Sequence, residues 1–148
     1  MPTGARGVDM KNRILHLTRN TIPYVKELHP IAGSVVGCIL MHQLECWFER
    51  HPEGFYMFLE PAEHEAYKPG ESWTEELGVT KGEFRAAFDR IGVRYSSKGQ
   101  FENAVDKFKG NLYCSYYNKQ THRTRYFRNH ELLDAVLDAM MEEWRQNG

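Results

Sequence analysis

The amino-acid sequence predicts an α+β domain, and three stretches carry that prediction. Residues 72–91, SWTEELGVTKGEFRAAFDRI, have the punctuation of a helix, a glycine turn and a second capped helix. Residues 112–127 hold two strand-like runs around a polar tip, and residues 34–50 read as one long apolar helix. At 148 residues the chain is most simply one domain, long enough to bury an ordinary core.

From the N-terminus, Met1 to Met10 lack periodicity, so residues 1–12 are expected as a flexible tail and 13–148 as the single domain. Ile14 to Leu17 are expected as a short strand. After Pro23 and Pro30, Ser34 can cap a helix that runs to Arg50. Val35, Val36, Ile39, Leu40, Leu44, Trp47 and Phe48 cover more than half its circumference, which predicts a central buried helix. Its polar stripe is Cys38, His42, Glu45 and Glu49. Cys38, His42 and Cys46 recur every four residues, a spacing that invites zinc, but a third ligand at i+8 has rotated round the axis, and no second pair has ligand spacing. The cysteines are therefore read as small core or boundary residues, Cys46 nearer the apolar face than Cys38, and neither metal nor cofactor is expected.

Pro52, Glu53 and Gly54 make a turn, and Phe55 to Leu59 form a short aromatic strand closed by Pro61. Glu63, His64 and Glu65 then lie on a polar loop, where a histidine beside carboxylates suits hydrolytic acid–base work. No nucleophile elbow, Walker loop, HExxH or dinucleotide fingerprint accompanies them, so the expectation is a protein that is not an enzyme.

In the central stretch Ser72 caps the first helix, Glu75 and Glu76 suit its first turn, and Gly78 ends it. Thr80 with Glu83 forms a capping box for the second. Phe84, Phe88 and Ile91 make a buried stripe, leaving Lys81, Gly82, Arg85, Ala86 and Asp89 on the other side. That is a helix-turn-helix pattern, whose second helix offers its N-terminal residues to a DNA major groove and whose Arg85 can bond a guanine bidentately. Residues from Glu102 to Phe108 can form a helical turn or two before Gly110. Leu112 to Tyr117 and Arg123 to Phe127 then read as a β-hairpin joined by Asn118 to His122. A hairpin after the second helix is the wing of a winged helix. Lys119, Arg123, Arg125 and Arg128 give it charge for a phosphate backbone, while Tyr116, Tyr117 and Tyr126 give hydroxyls or stacking faces. Asn129 caps a last helix with an apolar stripe of Leu133, Val136, Leu137, Met140 and Trp144. The rest of that helix is acidic, and it either packs across the domain or forms a homodimer with a second copy.

Charge is balanced over the whole chain, 19 basic residues against 20 acidic. Between Lys81 and Arg128 there are 11 basic and 4 acidic residues, which suggests one basic face for an anionic partner set against an acidic remainder. Three widely placed cysteines suit a reducing compartment rather than a disulfide framework, and no run approaches a membrane span. The expectation is a cytoplasmic protein with no membrane partner.

The helix ending in HQLECWFE, the tract ESWTEELGVTKGEFRAAFDRIGVRY and the tract GNLYCSYYNKQTHRTRYFRNHELLDAVL together resemble the winged-helix proteins of phages, plasmids and integrated elements. The resemblance covers roughly residues 31–140. It implies a winged helix-turn-helix with a long buried N-terminal helix, a β-hairpin wing and an acidic C-terminal helix. It also implies a double-stranded DNA-binding protein acting in replication initiation or transcriptional regulation, with contacts on Lys81, Arg85, Lys119, Arg123 and Arg125. Asp89 on the exposed side of the second helix departs from that pattern. A second expectation is a non-catalytic protein-interaction module on the same scaffold, meeting a protein partner through its aromatic surface and acidic last helix.

Overall fold

The capping residues fix where the helices begin. The computed structural model describes residues 13–147, so the expected tail at residues 1–12 lies outside the described residues. The helices are α1 (His29–Ala32), α2 (Val35–Arg50), α3 (Trp73–Leu77), α4 (Lys81–Ile91), α5 (Lys98–Asn103) and α6 (His130–Asn147). The strands are β1 (Phe55–Met57), β2 (Gly92–Tyr95), β3 (Tyr113–Asn118) and β4 (Arg123–Arg128). Two 3₁₀ segments, Arg13–Asn20 and Lys26–Leu28, precede α1. The first replaces the short strand expected at 14–17, and its Ile14, Leu15 and Leu17 are all exposed, so no burial on one face selects an extended conformation there.

Ser34 Oγ accepts the Gly37 N–H at 2.9 Å and starts α2. The buried arc of α2 comprises Gly37, Cys38, Leu40, Met41, Leu44 and Phe48. This corrects the placing of the cysteines: Cys38 is fully buried and Cys46 exposed, because the line through residues 37, 41, 44 and 48 faces the core and Cys46 lies behind it. Cys46 Sγ and His42 Nδ1 meet at 3.7 Å, but no three His, Cys, Asp or Glu gather among the described residues.

The four strands form one mixed sheet in the order β1–β4–β3–β2, with β4 antiparallel to both neighbours and β2 parallel to β3. One face carries Phe55, Met57, Tyr113 and Tyr126 and packs on Leu44, Phe48, Trp73, Phe84, Phe88 and Leu133, the main core. The other carries Tyr95, Cys114 and Tyr116 and is covered by Phe101 of α5, Ala104 and Phe108. Burial there lifts the Cys114 thiol to about 12, so it is inert.

Strand β2 and its parallel pairing are not foreseen in the sequence. The strand follows α4 at the next residue, and Gly92 permits it: a Cβ there would lie 2.7 Å from the Phe88 ring and 3.0 Å from the Tyr113 carbonyl oxygen. Helix α5 and the segment after it supply the crossover that a parallel pair requires, and the helix lies earlier in the chain than the turn or two expected at 102–108. Asn129 Oδ1 accepts the Leu132 N–H and starts α6 as expected, but in α6 only Leu133 is buried. Among the described residues no single helix is long and apolar enough to cross a membrane.

Candidate nucleic-acid interface

Helix α3 is tied to α2 by Glu76, which accepts hydrogen bonds from Trp47 Nε1 and Gln43 Nε2 at 3.1 Å. Its entry is fixed by Glu75, which takes bonds from Tyr67 Oη, Ser72 Oγ and the Gly70 N–H. The Tyr67 bond, then the Ser72 bond, hold the Glu75 carboxyl below its ordinary range. Gly78 ends α3 at φ 68°, in the left-handed region where a side chain would strain. Helix α4 then opens with the full capping box, Thr80 Oγ1 accepting from Glu83 N–H and Glu83 Oε1 from Thr80 N–H.

The expected amphipathic division of α4 is present. Phe84, Ala87, Phe88 and Ile91 are buried, while Lys81, Gly82, Arg85, Ala86 and Asp89 are exposed. Lys81 Nζ lies 3.7 Å from Glu60, a half-exposed pair of small energetic weight. Arg94, from β2, donates to both Asp89 oxygens at 2.7 and 2.9 Å, so the acidic side chain of α4 already has its counter-charge. Arg85 has no carboxylate within 4.0 Å among the described residues.

Between α4 and the sheet lies a cleft of about 840 Å³. Its floor follows from strand register: Arg94 pairs with Ser115 and Ser115 with Tyr126, one row across three strands, and Tyr117 pairs with Thr124 in the next row. Lys81, Arg85 and Asp89 form the wall, and His122 closes the end toward the hairpin tip. Burial pushes the Tyr126 hydroxyl well above the usual tyrosine range, so it is protonated at neutral pH.

The hairpin divides the expected residues between two faces. In the tip, Asn118 Oδ1 accepts the Gln120 and Thr121 N–H groups, a turn that leaves Lys119 exposed. Arg123 and Arg125 alternate onto the sheet face opposite the cleft, and both guanidinium carbons stack on the Tyr56 ring, 4.8 and 4.9 Å from its centroid. The hydrogen bond from Tyr116 holds the Tyr56 hydroxyl below its usual value, while burial and that same bond push Tyr116 up to about 12. The basic segment therefore supplies two basic patches, one on each face of the sheet, rather than the single face expected.

Arg128 leaves the expected contact set. Its side chain is 10% exposed and donates to Glu45 and, at 2.7 Å, to Asp134, while Tyr113 Oη also donates to Glu45. Burial opposes its charge, but the bonds to the two carboxylates outweigh that and hold it protonated. It faces inward because it shares a sheet face with Tyr113 and Tyr126, two of the core tyrosines.

His64 Nδ1 accepts the Ala66 N–H, and its ring lies 5.5 Å from that of His122. Neither Glu63 nor Glu65 is hydrogen-bonded to it among the described residues, so the hydrolytic arrangement considered for this loop is not assembled. Arg94, Ser115 and His122 belong to the cleft and were not singled out in the sequence, since only the pairing of β2 with β3 brings Arg94 beside Ser115. Compared with known proteins, the chain matches no family model, no curated protein and no solved structure.

Proposed function

We propose that this chain is a double-stranded DNA-binding protein of a mobile element, acting in replication initiation or transcriptional regulation without catalytic chemistry. The observation that carries this reading is the uncovered side of α4. It offers two cations, two small residues that permit close approach, and an aspartate already neutralised by Arg94. The winged helix-turn-helix reading is supported by the glycine-joined pair α3–α4 followed by the β3–β4 hairpin with Lys119 at its tip. The mobile-element setting rests on the resemblance in the tracts quoted above.

The test is fluorescence anisotropy with random and element-derived duplexes over a salt series. Binding should weaken linearly in log salt, and Lys81→Glu with Arg85→Glu should abolish it. Arg123→Glu with Arg125→Glu, on the other face, should lower the salt slope by about two phosphate contacts. Absence of binding at low salt overturns the reading.

A second reading, a protein-interaction module, is favoured by α6, where Met141 and Trp144 remain 48% and 45% exposed beside Asp138, Glu142 and Glu143. On that reading the same charge reversals leave partner binding intact.

A further inference from the structure

We propose that the cleft between α4 and the sheet is a binding pocket for a single unpaired nucleotide, its phosphate on Arg85 and its base against Tyr117. This goes beyond duplex binding and does not depend on it.

Three observations carry the inference. The first is size: about 840 Å³ lies within the roughly 300–1,000 Å³ of small-molecule sites, room for a nucleotide. The second is charge. Lys81 is paired with Glu60, and Arg94 with Asp89, which leaves Arg85 as the one wall cation without a carboxylate among the described residues. A guanidinium with no carboxylate partner can hold a phosphate bidentately at the cleft wall. The third is the floor. Tyr117 is 39% exposed and presents a ring, and its hydroxyl and that of Thr124, its partner across β3 and β4, can each give or take a hydrogen bond at a base edge. A ring to stack on, hydroxyls beside it and one free guanidinium are the complement of a nucleoside monophosphate unit.

That unit has two sources, a free nucleotide or an unpaired residue within a strand, and both arms are measured. Calorimetric titration of the full chain with thymidine monophosphate and with pentathymidylate should show saturable binding of at least one. Equal affinities identify the free nucleotide as the ligand, and a much tighter pentamer identifies single-stranded nucleic acid. Tyr117→Ala and Arg85→Ala, with melting temperatures confirming the fold, should each weaken binding about tenfold. Lys98→Ala, in the α5 layer over the opposite face of the sheet, should leave it unchanged. Lys119→Glu should reduce duplex binding alone, which separates failure of the duplex reading from failure of this one. No binding of either probe at millimolar concentration, or full binding by Tyr117→Ala, overturns the proposal.

Discussion

Arg128 shows what a single side chain does when it is counted by composition alone. As one of eleven cations in a basic segment it reads as a phosphate ligand, but its position in β4 turns it into the junction of Glu45, Asp134 and His130. His130 completes the junction, with Nδ1 toward Arg128 and Nε2 donating to the Pro52 carbonyl. Removing the guanidinium leaves Glu45 facing Tyr113 without its cation. Arg128→Ala should therefore lower stability by on the order of 2 kcal/mol, discounted from a fully buried pair because Asp134 is 61% exposed. Urea denaturation should show a lower midpoint with unchanged slope, and the folded variant should keep its DNA affinity. The residues that were legible are those whose role is local: Ser34, Ser72, Thr80, Glu83 and Asn129 all cap where their spacing says they do. Which sheet face Arg128, Arg123 and Arg125 occupy depends on strand register, which a one-residue shift inverts.

Among the elements, helices with strong caps and strands with turn residues between them were readable, and the pieces defined by tertiary contact were not. Strand β2 has four residues, no turn before it and an arginine in it, so nothing local separates it from the end of α4. Two glycines of α4 and β2 give opposite expectations. Gly82 lies in the first turn of α4 with open space around it, its nearest neighbour Thr80 Oγ1 at 3.9 Å, so Gly82→Ala should raise stability by roughly 0.5–1 kcal/mol. At Gly92 the methyl would meet the Phe88 ring and the β3 backbone, and Gly92→Ala should cost about 1–3 kcal/mol. Thermal melts of the two variants should move in opposite directions, and equal shifts would show that α4 and β2 are not so closely apposed.

For the whole molecule, the chain's near-neutral net charge conceals carboxylates held ionised by specific partners. Asp134 by Arg128, Glu75 by Tyr67 and Ser72, and Glu83 by the Thr80 backbone all sit below their ordinary values. A depressed carboxylate contributes stability above the unfolded-chain pKa, near 4, and that contribution is lost as pH falls through the folded value. The melting temperature should hold from about pH 7 to 5 and fall steeply below about pH 4. Arg128→Ala should flatten part of that acid limb by removing the partner of Asp134, and an unchanged limb would mean that the pair does not persist in solution.

The absence of any residue between α4 and β2 has a mechanical consequence. Ile91 ends the helix and Gly92 begins the strand, so the helix that would meet a DNA groove and the strand that carries Arg94 into the cleft form one stiff lever. Any tilt of α4 on a ligand must slide β2 along β3 or bend at Gly92, and the four parallel register pairs resist the slide. The outer side of α4 and the sheet edge under α5 are thereby joined by continuous backbone with no loop between them to absorb a tilt.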